Sequence, residues 1–353
     1  MLCFYIRGDK HSDMCAFHKR SRSQYFFVAL LWLVGLLTFL QWRCLISHNH
    51  RSFSSRLGFV DTNIKGWEPG NIEPTAYFIH PTKQTAILTG KFTCRKNPVA
   101  KATIVVHSEA QNHEQRLAIR NTWAMDTLTN HNISVVFFLG LSEEEHVNDR
   151  VRTENQEFND VIVENFLDTP QNATLKSVMM LKWVTETCDV MNWIMKVNDD
   201  VFVNVPNFAK LLNDTSFPKR GALYGALRSK EPVQRDTYHE RFMPKYMYPY
   251  QVYPDYLGGA GYLMSVDVAK GLYEKALKTS YIHLEDVFVT GLCAESANIK
   301  RSYDFRFYYL EGSSPNHKFD CTVLYQKSLI VHSRHLSPLL MFENFDQYKK
   351  CFT

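Results

Sequence analysis

Short apolar, β-branched runs recur along the second half of the chain's first two hundred residues, with helix-patterned sequence between them. Ala102-Thr103-Ile104-Val105-Val106-His107 is one such run, ending at Ser108, and Ser134-Val135-Val136-Phe137-Phe138-Leu139-Gly140 is the next. Their composition suits strands, and the sequence between them suits a helix. Val161-Ile162-Val163 follows, then a stretch from about Asn172 to Cys188 with Leu175, Val178, Met179 and Trp183 at helical spacing, and then the apolar run Trp193-Ile194-Met195. Residues 254–266 pair a glycine-rich turn with another apolar strand, and Ser328-Leu329-Ile330-Val331 reads as a strand ending at His332. Strand and helix in alternation predict an α/β fold: a mostly parallel sheet flanked by helices, with ligands at the carboxyl ends of its strands.

A different pattern occupies the N-terminus. Residues 25–42, Tyr25 to Trp42, carry no charge, have aromatics at both ends, and are about long enough to cross a bilayer as a helix. Arg7, Lys10, Lys19, Arg20 and Arg22 precede them, so the positive-inside rule leaves 1–24 in the cytoplasm and everything after Arg43 on the other side. The run is long for a signal peptide and no small-x-small cleavage site follows, which favours a transmembrane signal anchor. Residues 43–93 read as a luminal stem, rich in Ser, Asn, His and Pro, and 94–353 as a catalytic domain without a linker-like break.

Composition adds limits. A net charge of +4 that includes the basic tail argues for no nucleic-acid partner. Three sequons, at Asn132, Asn172 and Asn213, lie beyond the anchor, where glycosylation is chemically possible. Cys94, Cys188, Cys293, Cys321 and Cys351 also lie there, in a compartment where disulfides persist. Five is odd, so one is free or pairs between chains.

Four clusters offer chemistry. Asn198, Asp199 and Asp200 follow a buried-strand pattern, where carboxylates can bind a hard cation whose shell water and phosphate oxygens complete; solvated turn residues are the plain alternative. Arg116 and Arg120 are four apart, so both guanidinium forks can meet one anionic group, such as a diphosphate, or pair with acids such as Glu109 and Glu114. Glu285-Asp286 begins an apolar helical run: either a general base or a helix cap. His332 can reach the same cation or a leaving phosphate, or be a satisfied surface histidine.

Arg116 to Trp123, Asn172 to Lys176, Lys196 to Asn204, Tyr253 to Ser265, Glu285 to Ala294 and Val331-His332 together resemble, in order and spacing, the inverting β-1,3-glycosyltransferase family of β-1,3-galactosyltransferases and β-1,3-N-acetylglucosaminyltransferases. The resemblance implies a GT-A fold, a UDP-sugar donor, Mn²⁺ as cofactor, single displacement with inversion, and a glycan acceptor on a glycoprotein or glycolipid. It implies that Asp200, with His332, holds the metal, that Asn198 and Asp199 complete the donor motif, that Arg116 and Arg120 line the nucleotide side, and that Asp286 is the base. The anchor and stem fit the family's Golgi membrane members. Galactose is the expected sugar, with UDP-GlcNAc or UDP-GalNAc as alternatives. Asn198 stands where the family usually has aspartate; it brings no charge, and it keeps open a catalytically silent, glycan-binding relative.

Overall fold

The structure, a computed structural model, describes residues 73–89, 100–125, 127–188, 192–310, 321, 328–333 and 336–352. The predicted anchor, residues 25–42, lies outside them. Among the described residues no helix is long and apolar enough to cross a membrane.

Each strand pattern read from the sequence forms a strand. In chain order they are β1 (Ala86–Leu88), β2 (Ala102–His107), β3 (Ile133–Leu141), β4 (Val161–Leu167), β5 (Trp193–Asn198), β6 (Val201–Val203), β7 (Leu223–Arg228), β8 (Tyr256–Ser265), β9 (Ser302–Tyr303), β10 (Phe307–Leu310) and β11 (Ile330–Ser333). They form an eight-stranded sheet in the order β1-β4-β3-β2-β5-β8-β7-β9 and a three-stranded sheet in the order β10-β11-β6. The centre, β4-β3-β2-β5, is a continuous parallel block; β1 runs antiparallel to β4, β8 runs antiparallel to both β5 and β7, and β9 is parallel to β7. The expected mostly parallel sheet is thus a mixed one. Antiparallel pairing needs no crossover helix, and β8 meets β5 directly.

Period two fixes the faces of the sheet. Ile104, Val106, Met195 and Val197 belong to one apolar core, with residues from the helices His113–Arg120, Glu145–Phe158 and Val205–Asn213. Val105 and Ile194 belong to the other, with the helices Ala173–Thr187 and Val266–Ala276 and a π-helix, Val287–Cys293. Alternation puts Lys196 on that second face. The helix Ala173–Thr187 is buried far beyond the single stripe expected: Thr174, Lys176, Ser177, Met180, Leu181 and Lys182 are covered too, because the sheet lies on one side of it and the helix Val266–Ala276 on another.

The folded domain starts earlier than the expected residue 94. Helix Thr75–Ile79 buries Phe78 and Ile79, Thr75 bonds to the carbonyl of Thr279, and β1 pairs with β4. The sequence pattern reads as stem here because a five-residue helix and a three-residue strand are too short to show a period. Asn172 is also unlike an open sequon. Asn172 is 2% exposed and its side-chain amide donates to the Leu167 carbonyl, whereas Asn213 is exposed. Cys321 and Cys351 form a disulfide, Cys188 is disulfide-bonded, and Cys293 is a buried free thiol, pushed up to about 12 by burial.

The β1 edge covers an acid. Glu164 on β4 lies opposite Ala86, and its Oε2 is buried with no hydrogen-bond partner among the described residues. Burial pushes its carboxyl from the ordinary 4.5 to about 7, against the opposing pull of the Thr85 hydroxyl and the Lys182 ammonium. The folded chain therefore binds this proton more tightly than the unfolded chain, and stability falls as pH rises from 4.5 to about 7. Glu164→Gln removes the ionisation: its Tm is expected to match wild type at pH 5 and to exceed it by about 5 °C at pH 8 in a thermal melt.

Candidate active site

Parallel strands that diverge in order leave a crevice at their carboxyl ends. Here the chain runs β2, β3, β4 outward and then returns to place β5 on the other side of β2, with His107 in register with Asn198. Just beyond those two residues an open cleft of about 410 Å³ is lined by Gln111, Asn112, Gln115, Asp199, Asp200 and Leu336, among others. The three consecutive polar residues expected at this strand end do lie at the switch point of the sheet.

Each has a distinct environment. Asn198 Oδ1 accepts from the Lys196 ammonium at 2.8 Å. Asp199 Oδ2 accepts from the Ser108 hydroxyl at 2.7 Å and from the Asn112 amide at 3.0 Å, and its backbone N–H donates to the His107 carbonyl. Burial raises its carboxyl, with Asp200 adding to the shift and the Asn112 and Ser108 bonds opposing it. Asn112 precedes the helix His113–Arg120 without capping it, so its side chain serves the cleft instead. Asp200 Oδ2 lies 3.3 Å from His332 Nε2, while Oδ1 is buried without a partner among the described residues. His332 arrives because β11 pairs antiparallel with β6 and sets it opposite Val201. An orphaned carboxylate oxygen beside an imidazole is a donor set that a divalent cation fits. Among the described residues no group of three or more His, Cys, Asp or Glu converges on one point, so water and phosphate oxygens would have to fill the remaining positions.

The two arginines follow the plainer of the two readings and pair with an acid of the protein itself, though not with Glu109 or Glu114. Both forks meet one carboxylate, and it is the protein's own Glu154. Arg116 is fully buried; Nε and Nη2 bond to Glu154 at 2.8 and 2.7 Å, and Nη1 and Nη2 also bond to Ser108 Oγ and the carbonyls of Glu109 and Ala110. Arg120 bonds to Glu154 and Asp160 and lies over the rings of Phe137 and Phe158. Burial works against the charge on Glu154, yet the bonds from Arg116, His113 and Arg120 bring it down to about 2. Arg116 therefore presents no donor to a diphosphate; it holds the loop Ser108 to Ala110 behind Asp199. The sequence could not distinguish an external anion from an internal one thirty-eight residues away.

Glu285 and Asp286 lie across β8. Gly259 touches both: a Cβ there would come within 3.3 Å of Asp286 Cβ and 3.4 Å of Glu285 Oε2. A Cβ at Gly261 would stand 2.7 Å from Ile330 Cδ1. The glycines of this strand thus let protein approach protein, where the sequence suggested approach to a ligand. Glu285 Oε1 accepts from Ser177 and Tyr262. Asp286 Oδ1 accepts from the Val287 N–H, so it does cap the π-helix, and both its oxygens accept from Arg241.

Lys196, 2% exposed, links the two clusters: Nζ donates to Asn198 Oδ1, to the Gly259 carbonyl at 2.6 Å, and lies 3.5 Å from Glu285 Oε2. Sequence reasoning passed over it, although a lysine between Met195 and Val197 in a buried strand was a readable signal. Arg241, in an irregular loop, left none.

The sheet thus carries an acid-lined cleft at its switch point, and a second acid pair, at the start of the π-helix, packs against the adjoining strand β8. The Galactosyltransferase family model matches residues 114–304. Beta-1,3-galactosyltransferase 1 of Homo sapiens and of Mus musculus is 32% identical over 262 residues, covering 73% of this chain and 79% of theirs. Lactosylceramide 1,3-N-acetyl-beta-D-glucosaminyltransferase A of Xenopus laevis is 33% identical over 264 residues, 72% of this chain and 67% of that one. A solved galactosyltransferase LgtC has 12% identity at a TM-score of 0.35, covering 71% of this chain and 96% of that one. The chain belongs to the Galactosyltransferase family, and within it to the β-1,3-glycosyltransferases.

Removing one member of a buried ionic cluster strands its partner. Arg116→Leu, which leaves Glu154 short of its main donor, is expected to cost about 3–5 kcal/mol in urea unfolding.

Proposed function

We propose that this β-1,3-glycosyltransferase transfers galactose from UDP-galactose, with inversion, to a glycan acceptor hydroxyl, as a single-pass type II protein of the Golgi membrane with its catalytic domain in the lumen and Mn²⁺ at Asp200 and His332. The observation that carries it is the pairing of two acidic clusters across β5 and β8, one opening on the cleft and one beside it, tied by Lys196. The sugar is argued from the match to Beta-1,3-galactosyltransferase 1, and the location from the uncharged span 25–42 with basic residues before it.

In this reading the acceptor oxygen attacks the anomeric carbon opposite the diphosphate. Asp286 takes the hydroxyl proton as the new bond forms, the bond from the anomeric carbon to the diphosphate oxygen breaks, and UDP leaves with its electron pair. The metal, when bound, supplies positive charge to the departing diphosphate. Asp200 and His332 would hold it; Asp199 and Asn112 shape the cleft next to them, and Gln115 fixes the backbone by donating to the Asp199 carbonyl at 2.8 Å. Lys196 keeps Asn198 and Gly259 in place, so the donor and acceptor sides cannot drift apart. The near-equal identity to an N-acetylglucosaminyltransferase supports UDP-GlcNAc as the second reading for the sugar.

Acceptor-stimulated UDP release by the full chain in detergent, with Mn²⁺, a panel of UDP-sugars and Gal- or GlcNAc-terminated acceptors, tests both readings. Release from UDP-galactose alone is the expected outcome, release from UDP-GlcNAc establishes the second, and tight UDP binding without transfer from any donor would favour the silent relative. Asp200→Ala is expected to abolish Mn²⁺-dependent UDP binding in a calorimetric titration. Asp286→Ala is expected to keep that binding and to lose transfer by about 100-fold or more; full turnover in this variant would refute the base assignment.

A further inference from the structure

Between β7 and β8 the chain makes a long excursion, residues 229–255, with almost no regular structure. It closes on itself through a bridge between Pro232 and Val252 and is cross-braced by Arg235, which donates to the carbonyls of Met243, Tyr248 and Tyr250. Its other arginine points out of this brace. Arg241 Nη1 bonds to Asp286 Oδ2 at 3.0 Å and Nη2 to Oδ1 at 3.3 Å, and Nη2 also bonds to the Tyr256 hydroxyl, which itself donates to Glu231. Burial works against its charge, yet Asp286, Tyr256 and Glu231 hold this guanidinium above its ordinary value.

The bonds are unequally shared. Asp286 Oδ1 accepts twice, from Arg241 and from the Val287 N–H; Oδ2 accepts once, from Arg241. A carboxylate oxygen has two in-plane lone pairs, so Oδ1 is filled and Oδ2 keeps one to receive a proton. A planar fork bound to both oxygens also fixes the rotation of the carboxylate plane, which the single Val287 bond cannot do. Backbone positions nearby are set independently: Gly259 packs on the Asp286 Cβ, and Thr290 bonds to the Asp286 carbonyl.

We propose that Arg241 is a positioning residue for the transfer step, acting through Asp286: its fork orients the carboxylate so that Oδ2 is the oxygen that takes the acceptor proton. The proposal rests on Asp286 being the base. It assigns a catalytic purpose to the excursion 229–255, which delivers one cation to the acid pair while its exposed tyrosines, Tyr238 and Tyr250, face solvent. The proton still passes from acceptor hydroxyl to Asp286, and Arg241 neither gains nor loses one.

Steady-state kinetics of the full chain with Arg241→Ala, Arg241→Lys and Asp286→Asn test it, together with melts of each protein. Arg241→Ala is expected to lower kcat about 10- to 100-fold, the size of a lost alignment, with donor KM unchanged. Millimolar guanidinium should restore part of that loss, and Arg241→Lys should lie between, because an ammonium supplies charge without a fork. A purely structural role would instead lower Tm and leave guanidinium without effect, which overturns the proposal, as does a kcat near wild type or a loss confined to donor KM. Asp286→Asn separates the two claims. If it turns over freely, the base assignment falls and this proposal with it; if it is inactive while Arg241→Ala is not, only the proposal falls.

Discussion

A buried ammonium holds the two halves of the site in register. Lys196 sits in the middle of β5, directly opposite Tyr262 of β8, on the sheet face covered by the helix Ala173–Thr187 and the π-helix Val287–Cys293. Taking such a charge out of water costs several kcal/mol unless it is paired and hydrogen-bonded. Its partners are Asn198 on one side and Gly259 and Glu285 on the other, so satisfying the charge and joining the donor edge to the acid pair are one event. Glu285 is in turn held by Ser177 and Tyr262, and burial together with that carboxylate raises the Tyr262 phenol well above its ordinary range. His107, beside Asn198 in register, is pushed far down by burial and by Lys196 and Lys176, and so stays a neutral imidazole.

That arrangement gives the asparagine at 198 a physical meaning. The residue at this position sits against Lys196, and an amide oxygen satisfies one of the lysine's three donors without charge. The negative charge facing the cleft comes from Asp199 and Asp200, the first braced by Ser108 and Asn112, the second meeting His332. The Arg116, Arg120 and Glu154 cluster behind them supports the same loop from below, through Ser108. Two charged sets therefore flank the switch point: an internal one in which every Arg116 donor is used, and one at the cleft in which Asp200 Oδ1 has no partner among the described residues.

Much of this was legible in the chain. The runs at 102–107 and 134–140 and the residues after 193 became β2, β3 and β5 because period two and β-branching report burial directly. The position of Asn198 to Asp200 at a strand end followed from the same pattern, and the ordered series of motifs identified the family. The short N-terminal strand β1 was not legible, since three residues carry no period. Nor was the partner of Arg116: helical spacing places two guanidinium groups together but says nothing of the carboxylate they meet.

By itself, then, the sequence determined the element types, the sheet's carboxyl-end location for the acids, and the family, because each is written in local periodicity or in residue order. The tertiary structure alone decided which charges are free. Arg116 is consumed by Glu154, Lys196 by Asn198 and Glu285, and Asp286 is gripped by Arg241, whereas Asp200 keeps an oxygen with no partner among the described residues. Pairing of buried charges depends on contacts across 38 to 89 residues of chain, and the low dielectric that enforces it exists only once the core has closed.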